Sequence, residues 1–168
     1  MNAILDKITG SGFGGLSPEL LVANSVLSVA FSKGVAVTHL KLQKLVYFVY
    51  KKYLKDTGYA LFAENFEVWT YGPVLPSVYR VFRKYGSGAI DDFAYPTFRL
   101  DRKAFVVARA HADFYAALDW VWAVYGGFGA MELVDITHRE GTAWSIADSK
   151  KSAFMDDKDI SREEWAYA

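Results

Sequence analysis

The chain has 168 residues, of which 52% are hydrophobic and 17% aromatic, so it is long enough to bury one sizeable core. Its 19 Lys and Arg residues balance 19 Asp and Glu residues, which leaves no net charge to draw the whole chain onto nucleic acid or an anionic membrane. The absence of cysteine excludes disulfides, thiol catalysis and thiolate metal sites, and it fits a reducing cytoplasm.

The N-terminal stretch MNAILDKITGSGFGG has no continuous apolar segment of the kind that a secretory signal needs. Gly10, Gly12 and Gly15 have the spacing of a dinucleotide-binding fingerprint, but such glycines function only after a buried strand, and the preceding residues are too polar to form one. We interpret the stretch as a flexible N-terminal loop that the mature protein keeps, and we predict no cofactor.

Two helices are predicted next. The first runs from Pro18 to Lys33 and is stopped by Gly34. The second, HLKLQKLVYFVYKKYLKDT, begins after a Thr38 cap and ends at Gly58. Its apolar side chains form one stripe, which we expect to be the spine of the core: Leu42, Leu45, Val46, Val49 and Tyr53.

Five lysines of the second helix lie largely off this stripe: Lys41, Lys44, Lys51, Lys52 and Lys55. Long side chains of this kind usually cover apolar neighbours while their charge stays in water, so we predict a solvated helix face. The same lysines are the basis of one alternative function, a DNA-binding regulator, which the neutral charge balance disfavours.

The pattern then changes to short aromatic and β-branched runs in ALFAENFEVWTY. We predict a hairpin whose strands, Ala60 to Ala63 and Phe66 to Tyr71, are separated by Glu64-Asn65. Since two strands alone are not stable in water, this hairpin must pack on helices.

A third helix is predicted to begin at Pro73 or Pro76 and to end at Gly86. The next stretch, residues 87–101, contains a proline and has the composition of an irregular, exposed segment. We therefore expect it to contribute little to the core.

A long helix is predicted from Asp101 to Tyr125. The apolar stretch from Phe114 to Val134 is long enough to span a bilayer, but Asp119 lies within it and Gly126-Gly127 breaks it. We interpret it as two buried helices joined by a turn, the second from Ala130 to Thr137.

At the C-terminal end, Thr142 can cap a short helix, and DDKDISREEWAYA can form a last amphipathic turn around Trp165 or remain loose. The predicted fold class follows from this series of elements. It is mainly α, a compact single-domain bundle of about six helices with a small two-stranded β-hairpin.

No catalytic or metal-binding constellation stands out. His39, His111 and His138 are scattered over three predicted elements, with no HExxH pair and no cysteine. We predict that the protein is not an enzyme and holds no metal. An acid-base pair of His138 and Glu140 in THREG is the enzymatic alternative.

Aromatic side chains concentrate around one turn in EVWTYGPVLPSVYRVFRKYG. Trp, Tyr and Arg anchor binding surfaces because they bury a large area with few rotatable bonds and keep a polar tip. We predict that Trp69 and Tyr71 brace the hairpin on the second helix, and that Tyr79, Arg80 and Arg83 face a partner.

Three segments follow one another with ordinary spacing: LKLQKLVYFVYKKYL (Leu40 to Leu54), LFAENFEVWTYGPVLPSVYRVFRKYG (Leu61 to Gly86) and LVDITHREGTAWSIA (Leu133 to Ala147). Together they resemble the Panacea domain, a family of prokaryotic and phage antitoxin-associated domains that includes SocA-like antitoxins and GepA-like phage-associated proteins. The chain departs from the family at Ala143, where a proline commonly precedes the tryptophan.

The resemblance extends to individual residues. Gly72 is expected where the turn needs a positive φ or a close backbone approach. The motif residues with structural roles are Leu42, Gln43, Lys44, Leu45, Tyr47, Gly72 and Pro73. The partner-binding candidates are Trp69, Tyr71, Tyr79, Arg80, Arg83, His138, Glu140 and Trp144.

The resemblance also implies a division of the chain and a function. Residues 1–18 would be an N-terminal extension, residues 19–150 the domain and residues 151–168 a charged C-terminal tail. The implied function is that of an antitoxin that neutralises a cognate protein toxin by direct binding in the cytoplasm, with no cofactor and no membrane or nucleic-acid partner. A neighbouring gene is expected to encode the toxin.

Two further alternatives remain open. In one, the protein is an adaptor that delivers a bound toxin to a protease, with the exposed tail SREEWAYA as a possible signal. In the other, it is a phage-associated binding module. The sequence does not indicate an oligomeric state.

Overall fold

The computed structural model describes residues 15–97 and 103–168, so the predicted features in residues 1–14 and the helix start at Asp101 lie outside the described residues. These ranges contain an antiparallel hairpin of β1 (Glu67–Trp69) and β2 (Gly72–Val74) and a 3-10 turn, Arg83–Tyr85. They also contain seven α-helices: α1 Pro18–Lys33, α2 His39–Thr57, α3 Pro76–Phe82, α4 Ala112–Tyr125, α5 Ala130–Thr137, α6 Ala143–Ser149 and α7 Asp157–Arg162. The predicted fold class, mainly α with a small hairpin, is confirmed.

Helix α2 is the spine of the core, with the predicted bounds. The Thr38 hydroxyl accepts the backbone N–H of Lys41 at 3.2 Å, and Gly58 ends the helix in a left-handed conformation with φ of 75°. Every residue from 41 to 51 is buried, because α1, α4, α5, α7 and β2 pack around the helix.

Aromatic rings fill the space around α2. Phe48 stacks on Tyr125 with ring centroids 4.5 Å apart, and Tyr47 meets the edge of Phe66 at 5.2 Å. Geometries of this kind are favoured by the ring quadrupoles and add to the free energy of burial. Much of the aromatic content of the chain is therefore core.

The prediction of a solvated lysine face on α2 is wrong for Lys41, Lys44 and Lys51, which are all buried. Each of them donates a hydrogen bond to a different element: to Gly126 O at 2.8 Å, to Pro73 O at 2.9 Å and to Glu163 at 2.7 Å, respectively. These acceptors come from residues distant in sequence that cover α2 on all sides. Of the basic surface on which the DNA-binding alternative rested, only Lys52, which pairs with Asp56, and Lys55 remain partly exposed.

The hairpin lies further along the chain than predicted. Its strands pair Trp69 with Gly72 around a turn at Thr70–Tyr71, whereas the predicted turn was Glu64-Asn65. The predicted first strand, residues 60–63, is irregular. The predicted turn was wrong because the Glu64 side chain accepts hydrogen bonds at the start of a helix and does not form a hairpin turn.

Glu64 caps α3. Its carboxylate accepts the backbone N–H of Ser77 at 3.0 Å and also the Ser77 hydroxyl. Pro76 rather than Pro73 occupies the first position of that helix, because Pro73 belongs to β2. One of the two predicted starts is thus confirmed.

The connection after α3 is irregular, as predicted, but it is partly buried. The Asn24 side chain on α1 donates to Ala94 O and accepts the Ala94 N–H, at 2.9 and 2.8 Å, and also donates to Phe105 O at 2.9 Å. The predicted long helix begins only at Ala112, since residues 103–111 are not helical. The buried Asn24 amide provides hydrogen-bond partners for the backbone of these irregular segments, and a local sequence pattern cannot reveal a partner on another helix.

The apolar stretch from Phe114 to Val134 is divided between α4 and α5, as predicted, and α5 has the predicted bounds. Thr142 also caps α6, since its hydroxyl accepts the Ser145 N–H at 3.1 Å. No helix in the described ranges combines the length and apolar character needed to cross a membrane.

The C-terminal segment packs onto α2 through Glu163, so the expectation that SREEWAYA is exposed is wrong for that residue. Other residues of the tail are exposed: Arg162, Glu164, Tyr167 and Ala168. The buried Glu163 carboxylate accepts the Tyr47 hydroxyl at 2.6 Å, the Lys51 ammonium at 2.7 Å and the Ala143 N–H at 2.9 Å. The same ammonium lies 4.0 Å from the centre of the Trp165 ring. We call this arrangement of Glu163, Tyr47, Lys51 and Ala143 the Glu163 clamp. The division of the chain at residue 150 stays a prediction.

Candidate functional site

The three motif segments meet at one place, which we call the motif junction: Lys44 of α2, Gly72 and Pro73 of β2, and Thr137 of α5. The Lys44 ammonium donates to Pro73 O at 2.9 Å, and the Thr137 hydroxyl donates to Val134 O at 2.8 Å. All four junction residues are buried. Three motifs that are far apart in the sequence thus meet in one buried cluster.

Gly72 is the tightest point of the junction. Its φ is 95°, and a Cβ added there would lie 2.6 Å from Thr137 Oγ1 and 2.9 Å from Lys44 Cε. Both distances are too short for a real Cβ, and L-residues with a side chain rarely adopt this φ. Only glycine fits here without a shift of the surrounding residues.

Gln43 fixes the chain where it leaves the hairpin. Its side-chain amide donates to Leu75 O at 3.1 Å and accepts the Leu75 N–H at 2.9 Å. Leu42 and Leu45 are buried on either side of it in the core. The Gln43 and Lys44 side chains of the LQKL segment therefore hold the end of β2 and the start of α3 by hydrogen bonds to backbone groups.

The junction has an unusual electrostatic environment. Burial lowers the pKa of Lys44 to about 7, and no carboxylate among the described residues pairs with it. Burial, and then the Lys44 charge, lower the pKa of His39 and of His138. Both imidazoles are therefore driven towards their neutral form at neutral pH.

An open groove of about 760 Å³ lies beside the junction, between the start of α2, the hairpin and α3. We call it the aromatic groove, because its lining includes His39, Trp69, Tyr71 and Tyr79. Tyr79 contacts Trp69 and His39 edge to face, at centroid distances of 4.8 and 5.8 Å. Tyr71, at the hairpin turn, is 57% exposed.

Two other partner-binding candidates support the groove from behind. The Trp144 indole N–H donates to Trp69 O at 3.1 Å, and the His138 ring contacts Trp144 with centroids 3.8 Å apart. His138 Nε2 is buried and has no hydrogen-bond partner among the described residues. His138 and Trp144 thus position β1 and its aromatic side chain.

The remaining candidates lie elsewhere. Arg80 and Arg83 are exposed on α3 and on the 3-10 turn, beside the groove but outside its lining. Glu140 is exposed and lines a separate cavity of about 290 Å³ under the C-terminal segment, which His138 does not line. The two members of the THREG acid-base hypothesis therefore face different spaces.

Two important residues escaped the sequence analysis. His39 was set aside with the other histidines, yet it forms part of the groove. Glu163 was placed in a charged tail, although it pairs with Lys51 across 112 residues of sequence. Two sequence signals lay near the clamp: the motif residue Tyr47, whose hydroxyl donates to Glu163, and Ala143, whose backbone N–H donates to Glu163 at a position where the resemblance implies proline.

Comparison with known proteins places these motifs within one family. Residues 42–145 match the family model described as "Antitoxin SocA-like, Panacea domain". The chain is 32% identical over 126 residues to Antitoxin SocA of Caulobacter vibrioides (strain NA1000 / CB15N), covering 74% of this chain and 67% of that protein. No solved structure matches the chain significantly. The whole motif junction lies within the matched residues, whereas Glu163 lies beyond the family-model match.

Proposed function

Because the chain belongs to the family of SocA-like antitoxins with a Panacea domain, we propose that it neutralises a cognate protein toxin by direct binding. The toxin is expected to be the product of a neighbouring gene. Binding rather than chemistry accounts for neutralisation, and both proteins act in the cytoplasm.

The aromatic groove is the observation that supports this proposal. It presents Trp and Tyr side chains on an open surface, and these are the residue types that dominate binding energy at protein interfaces. Its volume of about 760 Å³ is enough for several partner side chains. The family motifs converge directly behind it, so they would serve to hold its walls in place.

A non-enzymatic role is supported by the position of the acid-base candidates. The His138 ring packs on Trp144, and Glu140 lines another cavity. General acid-base catalysis needs both groups within reach of one substrate. Among the described residues, no group of three or more His, Asp or Glu side chains could hold a metal ion.

Delivery of the toxin to a protease is less well supported by this structure. Its structural basis was an exposed C-terminal tail, but Glu163 is buried and the Lys51 ammonium contacts both Glu163 and the Glu164 carbonyl. A segment anchored at Glu163 is less accessible than a free tail, although its last two residues, Tyr167 and Ala168, are exposed. Direct neutralisation therefore remains our proposal.

Co-expression with the product of the neighbouring gene tests the proposal. We expect that product to stop growth alone, and we expect this chain to restore growth and to co-purify with it. Tyr71→Ala should weaken the complex at least tenfold, since an exposed interface tyrosine is lost without a change in the core. Tyr59→Ala is the matched control, because Tyr59 is 60% exposed and lies outside the groove.

Two results would contradict the proposal. One is growth arrest that this chain does not relieve. The other is rescue with equal affinity in the Tyr71→Ala and Tyr59→Ala variants, which would place toxin binding on another surface.

A further inference from the structure

We propose that the aromatic groove recognises an acidic protein segment, which inserts a large apolar side chain into the groove and places carboxylates over an adjacent cationic rim. The rim consists of Arg80, Arg83 and Lys84. This inference rests on the proposed function, because it assigns the chemistry of the partner that the same groove would bind.

The rim borders the groove along the chain. Tyr79 lines the groove before the rim, and Gly86 and Ser87 line it afterwards. The three cations between these positions are exposed. None of them forms an ion pair with a carboxylate of the described residues, and the Lys84 ammonium only approaches its neighbour Tyr85, at 5.2 Å from the ring centre.

The groove itself is uncharged. Its lining contains no Asp, Glu, Lys or Arg, and burial lowers the pKa of His39. Two carboxylates lie nearby: Glu67 accepts the Trp69 indole N–H at 2.6 Å, and Asp91 contributes, after burial, to raising the pKa of Tyr85 to about 12. An apolar floor with a cationic edge is complementary to an apolar side chain flanked by acidic residues.

The hairpin backbone does not offer an alternative mode of binding. The outer edge of β1 is covered by the chain around Phe154, through hydrogen bonds from Val68 N to Ala153 O at 3.0 Å and from Met155 N to Phe66 O at 2.9 Å. In β2, Pro73 has no N–H and its carbonyl accepts Lys44. Addition of a partner strand is therefore blocked, and recognition must use side chains.

Selection from a library of random peptides displayed on phage tests this inference without knowledge of the toxin. The full chain is the target, and the variant carrying Tyr71→Ala and Arg83→Glu is used for subtraction. We expect the enriched peptides to combine a large apolar residue, aromatic or aliphatic, with Asp or Glu. A synthetic copy of an enriched peptide should bind the Arg83→Glu variant about tenfold more weakly than the wild type. Its binding to the wild type should also weaken in high salt.

Lys158→Glu is the matched control, because Lys158 is an exposed cation on α7 outside the groove. Its binding of the synthetic peptide should equal that of the wild type. Failure to enrich any peptide, enrichment without an acidic bias, or equal weakening by Lys158→Glu and Arg83→Glu would overturn the inference. So would a dimer of this chain that Tyr71→Ala dissociates, because the occupant would then be a second copy.

The peptide selection and the growth test can fail separately. If acidic peptides are selected as expected while the neighbouring product is not neutralised, the groove chemistry holds and the antitoxin proposal fails. If the toxin is neutralised but no acidic peptide is selected, the antitoxin proposal holds and this inference fails.

Discussion

Two buried lysines on α2, about two helical turns apart, have opposite surroundings. At the Glu163 clamp, the Lys51 ammonium contacts the Glu163 carboxylate at 2.7 Å and Glu164 O at 2.9 Å. At the motif junction, Lys44 contacts a single carbonyl, Pro73 O. Burial lowers the pKa of both lysines, but Glu163 opposes this effect only at Lys51.

The difference separates a stabilising region from a candidate functional one. A buried charge is tolerated when a counter-charge and hydrogen bonds replace water, as they do around Lys51. A buried ammonium without a counter-charge is unfavourable for folding, and such groups concentrate at functional sites. The incompletely satisfied region is the one that lies behind the aromatic groove and within the family match.

The largest effect is expected from breaking the clamp. Glu163→Ala leaves the Lys51 charge buried and removes the acceptor of Tyr47 and Ala143, so the free energy of unfolding should fall by about 3–5 kcal/mol. Chemical denaturation measures this loss. Glu164→Ala is the matched control, since that side chain is exposed, and it should change stability by less than about 0.5 kcal/mol.

Replacing both charged partners sharpens this test. Glu163→Leu combined with Lys51→Met should recover part of the stability lost in Glu163→Ala, because no unpaired charge remains buried. If Glu163→Ala were as stable as the wild type, the clamp would not be the stabilising region.

The next effect is a pH dependence that arises from Lys44. Its pKa is about 7 in the folded chain and 10.5 for a lysine free in water, so between these limits the unfolded chain binds more protons. Stability should therefore rise from about pH 7 towards pH 10, with Lys44 contributing about 2–4 kcal/mol. Lys44→Met should flatten this rise, whereas Lys52→Met, which removes a partly exposed lysine paired with Asp56, should not. Identical profiles of stability against pH for the wild type and Lys44→Met would contradict a lowered pKa of Lys44 in the folded chain.

A smaller effect is expected from the close contact at Gly72. Gly72→Ala combines an unfavourable φ with a clash against Thr137 and Lys44, so it should destabilise the fold by about 2–3 kcal/mol. Gly58→Ala has a similar φ of 75° but meets no atom within 4 Å, so it should cost only about 1 kcal/mol. The difference between the thermal or denaturant midpoints of the two variants measures the cost of the steric clash at Gly72. Equal losses of stability in both variants would show that the motif junction relaxes around the added Cβ.

The smallest effect concerns the Ala143 N–H. Ala143→Pro removes its hydrogen bond to Glu163, but proline is favourable at the first position of α6, so stability should change by less than about 1 kcal/mol. A loss as large as that of Glu163→Ala would mean that the backbone contact, rather than the Lys51 pair, accounts for the clamp.

Local signals predicted the helices well where the ends are marked by short-range chemistry. Thr38 and Gly58 bound α2, and Thr142 caps α6, because a cap involves residues only a few positions apart. The hairpin was misplaced because Glu64 resembles a turn residue, although it caps α3 across 13 residues. The irregular residues 103–111 were read as helix because their partners lie on α1.

The candidate site was predictable in its residue types rather than in its arrangement. Trp69, Tyr71 and Tyr79 were predicted as partner-binding candidates, and they line one groove. The prediction that Tyr71 braces the hairpin on α2 is wrong, because its side chain is 57% exposed at the turn. Glu140 was grouped with His138 because they are close in sequence, but they face different spaces. Proximity along the chain does not determine the direction of a side chain at a helix end.

The sequence by itself determined the helical class, the ends of α2 and the family, because caps, periodicity and motifs are properties of short segments. Only the tertiary structure decided which charges are buried. Lys44 and Lys51 look alike along α2, yet one meets a carbonyl and the other a carboxylate from the C-terminal segment. The environment of a charge depends on neighbours brought together by folding, and no local pattern contains that information.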